Sequence, residues 1–323
     1  MKAAVVYKKG EMPKYAEIAD PILQDENQIL ISVKAVAITN LDKGKASGAH
    51  YSSEKEKQNG FVVGSDCIGL LDDGTRVYAR GISGTMAEKA VMDKNLSVPL
   101  PDGISNAVAA SMPNAVAGSA MALKFRAQIK LGETVLINGA TGFTGQMAIQ
   151  IAKHYGAKKI IATGRNEKTL QSLLELGADE VIFLKQSDED FITQLKAIHL
   201  NTPIDIILDY LWGHPAELIL SVLKGNGSFT NKVRYVTIGG MAGDTIQLSS
   251  GILRSVDLQL SGSGLGSWTK NEIKLLFSEI LPEMFLLAAE NKLKVNIEEV
   301  SFADIEKMWS AEVPDGKRLV VII

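Results

Sequence analysis

Cysteine is almost missing from this 323-residue chain, where Cys67 stands alone. A lone thiol excludes an internal disulfide and any zinc lobe built from cysteines, so a reducing compartment is the expected setting. Redox chemistry, if the chain performs any, must then come from a bound cofactor. Histidine is scarce as well: His50, His154, His199 and His214 show no short ligand spacing. Excess positive charge is absent, with 34 Lys and Arg against 37 Asp and Glu and a formal charge of -3, which excludes the electrostatic footprint of a nucleic-acid binder. The one dense charge run, 53–58, mixes both signs and reads as a solvated loop. No apolar run approaches the ~18 residues of a membrane span, and the apolar start at 1–7 is too short for a signal peptide. A cytoplasmic protein that meets neither membrane nor nucleic acid is expected.

What is present is ordinary globular material, 46% hydrophobic and 22% charged, long enough for two cores. Up to about Pro101 the chain consists of short β runs broken by Gly, Asp and Asn, at 3–7, 29–37, 61–71, 76–79 and 86–92. They predict a compact, strongly bent β domain. From about Asn114 the texture changes to buried β runs at 134–138, 159–163, 180–184, 204–209, 235–238 and 258–260, separated by helical patterns. Met147, Ala148, Ile151, Ala152 and Tyr155 share one helical stripe, and Gly156 follows as a stop. Alternation of this kind specifies parallel strands with helical crossovers, a doubly wound sheet. The tail carries a capping box from Thr269 to Glu272, a helix that Pro282 must kink or split, and a final apolar strand at 318–323. The predicted organisation is α/β: a Rossmann domain at 115–260, and a β-rich domain assembled from 1–114 and 261–323.

The strongest local signal is the loop Gly139, Ala140, Thr141, Gly142, Phe143, Thr144, Gly145, directly after the strand ending at Asn138 and directly before a helix. A tight strand-to-helix turn needs glycine where the backbone turns and where a pyrophosphate approaches the amides, and the helix N-terminus adds N–H donors and a positive dipole end. Folds that bind NAD place an Asp or Glu at the end of the second strand to bond the ribose 2′-hydroxyl. Here that strand ends Thr163, Gly164, Arg165, Asn166, and no acid occurs from Ala157 to Asn166. Arg165 offers a planar fork of charged donors for a 2′-phosphate, so NADPH is expected over NADH. A surface arginine after a strand is the alternative reading of Arg165.

The run 132–142, then Gln150 to Lys153 and Leu176 to Asp179, resembles the medium-chain dehydrogenase/reductases, and Gly64, Ser65, Asp66, Gly69, Gly239 and Gly240 agree in order and spacing. The resemblance covers nearly the whole chain and identifies the β-rich domain as GroES-like. It sets Thr39, Ser65 and Asn114 where zinc-dependent members carry their ligands. Neutral hydroxyls and an amide are poor zinc ligands, so the resemblance points to the zinc-free quinone oxidoreductase branch, similar to zeta-crystallin, with no metal. It also implies nicotinamide near Asp209, Tyr210, Gly239, Gly240, Ser261, Gly262 and Ser263, a cleft between the domains, and a homodimer formed through the edge run at 257–260.

Without zinc to polarise an alcohol, hydride transfer needs an acceptor that is already electron-poor, such as a quinone or an α,β-unsaturated carbonyl. Tyr51, Thr39 and Asn40 are the candidate catalytic residues. Tyr51 sits where related enone reductases carry a tyrosine able to bond a substrate carbonyl, or else is an exposed loop tyrosine. Similar quinone oxidoreductases have Asn where this chain has Thr39, and Asn40 one step later is the substitute. Asp42 is expected to cap the helical turn that follows it. Two other classes stay open: a reductase of another activated carbonyl, including an enzyme of the zinc alcohol dehydrogenase type, and an NADPH-binding protein without turnover.

Overall fold

The short β runs of the first hundred residues form β1 (Lys2–Val6), β2 (Lys14–Glu17), β3 (Gln28–Ala37), β4 (Phe61–Val62), β5 (Asp66–Leu70), β6 (Arg76–Gly81) and β7 (Lys89–Pro99). The middle of the chain supplies β8 (Thr134–Asn138), β9 (Lys159–Gly164), β10 (Glu180–Phe183), β11 (Ile206–Asp209), β12 (Val233–Thr237) and β13 (Leu258–Gly262), and the tail adds β14 (Ile297–Ser301) and β15 (Arg318–Ile322). The structure is a computed structural model and describes residues 1–50, 53, 60–313 and 316–323. It divides into two compact units, Met1–Asn114 with Lys274–Ile323, and Ala115–Ile273.

In the first unit β1 pairs antiparallel with β2 and β4, while a larger sheet runs β14-β15-β3-β5-β6-β7. β3 also pairs with β7, which closes β3, β5, β6 and β7 into a ring of strands. Val33, Val36, Ile38, Met86, Met92, Trp309 and Val321 fill its buried core. The run expected at 61–71 is broken at Gly64, whose φ is +96°; a Cβ there would lie 2.5 Å from Thr85 Oγ1 and 2.9 Å from Met86 N. Only glycine fits that break, and it carries the chain from β4 into Ser65 and Asp66. β2 and β14 were not anticipated, because β2 alternates among exposed positions and β14 buries little of its length.

The second unit is built on a fully parallel sheet, β10-β9-β8-β11-β12-β13, the doubly wound order with its reversal between β8 and β11. β8 is buried at every position, as a strand covered on both faces must be. Helix Phe143–His154 lays Met147, Ala148, Ile151 and Ala152 into the interior, and Gly156, φ +88°, supplies the left-handed stop after it. The boundary expected at 261 falls later. Ser261 and Gly262 pair with Val236 and Thr237 on the sheet, and the chain stays with this unit to Ile273, since ladder hydrogen bonds outweigh a change in local texture.

The capping box is present: Glu272 N donates to Thr269 Oγ1 at 3.1 Å and Thr269 N to Glu272 Oε2 at 2.7 Å. Pro282 lies in the first turn of the helix Leu281–Ala289, and the turn before it, Leu276–Ile280, is π-helical. That widening is how the helix accommodates a proline that can donate no hydrogen bond.

Candidate functional site

At the reversal point of the parallel sheet the chain turns from β8 into helix Phe143–His154 through residues 139–142. Gly139 has φ +88°, and a Cβ on it would lie 2.8 Å from Leu211 Cγ; Gly145 packs so closely that a Cβ would lie 2.5 Å from Ala140 Cα and 2.8 Å from Gly139 O. A Cβ on Gly164, at the end of β9, would lie 2.2 Å from Thr141 Cγ2. The helix N-terminus is capped by Gly142, which brings no side-chain acceptor and is open to solvent, a Cβ there meeting nothing within 4 Å. A helix N-terminus whose cap residue makes no side-chain hydrogen bond, at the positive dipole end of a 12-residue helix, is a receptor for a phosphate. Arg165 follows β9 and is exposed. Asn166 is committed: its Oδ1 accepts from Thr169 N at 3.0 Å and caps the next helix.

Beneath the loop lies a polar ladder that crosses the strands. Thr163 Oγ1 donates to Asn138 Oδ1 at 2.7 Å, and Asn138 Nδ2 to Asp209 Oδ1 at 2.7 Å. Tyr235 Oη donates to Asp209 Oδ2 at 2.7 Å, Leu211 N to Asp209 Oδ1 at 2.9 Å, and Trp212 N to the same oxygen at 3.1 Å. Gly139 N donates to Thr163 Oγ1 at 3.1 Å. Thr163, Asn138, Asp209 and Tyr235 are all 0% exposed. The side chains of Thr163 and Asp209, two of the cofactor candidates, are therefore turned into the protein, where they tie β9, β8, β11 and β12 together. Neither Asn138 nor Tyr235 was singled out from sequence; an Asn and a Tyr within buried apolar strands were the available signal.

Tyr210 Oη is 2.9 Å from Ser119 Oγ, and burial drives the phenol well above the ordinary tyrosine range, so it stays neutral. Gly239 allows the loop after β12 to approach the one after β11, since a Cβ on it would lie 2.8 Å from Tyr210 O. Gly240 follows it and is exposed, and Ser261 and Gly262 finish β13. Ser263 N donates to Thr237 O at 2.9 Å, and Ser263 Oγ accepts from Trp268 Nε1 at 3.0 Å. The fold thus gathers every cofactor candidate at or just beyond the carboxyl ends of β8, β9, β11, β12 and β13.

The first unit holds a second polar constellation. Thr39 is 3% exposed and caps helix Asn40–Ser47; its hydroxyl donates to Asp42 Oδ2 at 2.5 Å and accepts from Asp42 N at 3.1 Å. Thr39, a candidate substrate contact, thus spends its hydroxyl as the N-cap of a buried capping box, and Asp42, expected to cap the turn that follows it, stands instead third in the helix and accepts from Thr39 N at 3.3 Å. Asn40 is exposed in the first turn of the same helix, and Tyr51 lies outside the described residues. Asp42 Oδ1 accepts from Ser65 Oγ at 2.8 Å, and Lys45 Nζ donates to Ser65 Oγ at 3.0 Å. Asp66 accepts from Tyr78 Oη at 2.9 Å. Among the described residues no group of three or more His, Cys, Asp and Glu side chains is placed to hold a metal ion. Lys45, Arg80, Tyr78 and Arg318 were missed; Arg318 at the head of an apolar strand was the one legible hint, a charge that needs buried partners.

Burial and the neighbouring Asp42 carboxylate push the Asp66 carboxyl up to about 6, and burial brings Arg318 down to about 10, with Asp42 and Asp66 opposing that fall. Since Asp66 binds its proton more tightly folded than unfolded, the stability it contributes is full below the ordinary carboxylate range and is lost as pH rises through about 6. Asp66→Asn should therefore gain on the parent by roughly 2–3 kcal/mol between pH 4 and pH 7. Urea unfolding of both proteins across that range reads the difference, and a difference independent of pH would contradict it.

A family model described as zinc-binding dehydrogenase matches residues 144–281. A protein of Emericella nidulans described as the probable NADPH-dependent quinone reductase tdiC is 24% identical, with 96% of each chain covered. The human quinone oxidoreductase is 28% identical over 85% of this chain and 83% of its own. Among solved structures, the Escherichia coli quinone oxidoreductase complexed with NADPH superposes with a TM-score of 0.81 over 100% of both chains at 22% identity.

Proposed function

From the chain's membership of the medium-chain dehydrogenase/reductase superfamily, on its quinone oxidoreductase branch, we propose that it is an NADPH-dependent reductase that passes hydride to a quinone or an α,β-unsaturated carbonyl without zinc. The observation that carries the reading is the loop 139–145 at the switch point, where Gly142 begins the helix without a side chain of its own, and, after β9, an exposed arginine in place of an acid. First-turn amides of helix Phe143–His154 hold the pyrophosphate, and Arg165 takes the 2′-phosphate. Bound NADPH supplies the hydride. The tdiC and human relatives, quinone reductases by description, support the acceptor class.

Zinc independence is supported by the chemistry of the donor set. Thr39 and Ser65 are neutral hydroxyls already bonded to Asp42, and the Lys45 ammonium stands 3.0 Å from Ser65 Oγ, a poor neighbour for a dication. With no Lewis acid the acceptor must be electron-poor from the start. Tyr51 and Asn40 remain the proposed donors to its carbonyl. The exposed edge of β13, including Leu260, supports a homodimer formed by edge pairing. A cytoplasmic location accords with the lone buried Cys67, and among the described residues no helix is long and apolar enough to cross a membrane.

An NADPH-oxidation screen over quinones, enones, aldehydes and alcohols, run with and without chelator, tests the reading. Quinones or enones should be reduced at a rate the chelator leaves unchanged, and simple alcohols should not be oxidised. Alcohol oxidation with about one tightly held zinc per chain would overturn the zinc-free assignment. Tight NADPH binding with no acceptor reduced would instead favour a binding protein.

A further inference from the structure

Beside Asp42 the first unit encloses a cavity of about 210 Å³, whose polar wall carries Lys45, Ser65, Arg80 and Ser83. Its lining also includes backbone packed at the limit of contact: a Cβ on Gly84 would lie 2.0 Å from Val62 O, and one on Gly81 would lie 2.4 Å from Ser83 O. The shape is thus fixed by positions that only glycine can occupy.

The polar wall is rich in donors and poor in acceptors. Among the described residues Asp42 is the sole carboxylate on the lining, and its two oxygens accept from the Thr39 and Ser65 hydroxyls. Lys45 spends one proton on Ser65 Oγ and keeps the others. Among the described residues neither Lys45 nor Arg80 lies within ion-pair distance of a carboxylate, although both act on the buried Asp66 through charge. Two cations that line one half-buried cavity, with donors to spare, are complementary to a group that offers acceptor oxygens and negative charge.

We propose that this pocket binds a carboxylate carried by the hydride acceptor, so that Lys45 and Arg80 select for acidic substrates: an electron-poor alkene or quinone that bears an acid. The proposal rests on the reductase reading above, and it adds a substrate class that the loop at 139–145 does not specify. The carboxylate lies between the Lys45 ammonium, as a point charge, and the Arg80 guanidinium, as a planar fork.

Calorimetric titration of the full chain with benzoate, and with benzamide as its neutral counterpart, tests the pocket without any turnover. Benzoate should bind at least roughly tenfold more tightly than benzamide. Lys45→Met and Arg80→Met should each weaken benzoate by about ten- to a hundredfold and leave benzamide where it was. Equal affinities of the unaltered protein for the two probes overturn the proposal. In turnover with NADPH, a conjugated enone acid should be preferred to its methyl ester through KM, and both variants should remove the preference. If no acceptor is reduced while benzoate is still preferred over benzamide, the reductase reading falls and the anion pocket stands.

Discussion

Replacing Asp209 by alanine should lower the unfolding free energy by about 3–5 kcal/mol, among the larger single-residue losses this chain can show. The carboxylate is 0% exposed and accepts from Asn138 Nδ2, Tyr235 Oη and the N–H groups of Leu211 and Trp212. Alanine leaves all of those donors in the interior without their acceptor, and an unmet buried donor costs about 1–3 kcal/mol before relaxation. Trp212 adds to the loss, since its backbone is held at φ 54°, an uncommon conformation for a bulky residue that the surrounding bonds must maintain. Asp209→Asn keeps the shape but turns an NH2 toward groups that are themselves donors, so it should cost less than alanine and still clearly destabilise. Urea and thermal unfolding measure both variants. A stability within about 0.5 kcal/mol of the parent for Asp209→Ala would show that the ladder does not hold the strand ends.

The second large effect separates the two parts of the cofactor site. Arg165→Ala should weaken NADPH by roughly ten- to a hundredfold and leave NADH almost unchanged, because a charge-assisted contact worth about 1.5–3 kcal/mol is lost only where a 2′-phosphate is present. Gly145→Val should weaken both cofactors alike, since any Cβ there would lie 2.5 Å from Ala140 Cα and 2.8 Å from Gly139 O, and the loop must shift to admit it. Fluorescence titration of both nucleotides against both variants gives the contrast. If Arg165→Ala leaves the ratio of the two affinities unchanged, the 2′-phosphate is read elsewhere.

The loop was legible from sequence because its determinants are local. Gly139, Gly142 and Gly145 lie within one turn of backbone, and the strand before and helix after them each carry their own periodicity. The Thr269 capping box was legible for the same reason, with partners three residues apart. Asp209 was placed near the nicotinamide by the family resemblance, which gives a position along the chain and not the direction of a side chain. Its side chain faces the other way, held by Asn138 at 71 positions' separation and Tyr235 at 26. Thr39 was placed by the same resemblance, and the direction of its hydroxyl, into the capping box with Asp42, was not legible.

By itself the sequence determined the alternation of buried strands and helices, the glycine turn at the head of the second unit, and the missing acid before Arg165. Each of these is set by backbone geometry or residue chemistry within a few positions. Only the tertiary structure decided that Thr163, Asn138, Asp209 and Tyr235 form one ladder, that Ser261 and Gly262 stay with the parallel sheet, and that Lys45 and Arg80 share a cavity with Ser65. Those facts depend on hydrogen bonds and packing between segments far apart in the chain, where the energy of a buried polar group is fixed by whichever partners folding brings within about 3 Å of it, and residue type alone does not name them.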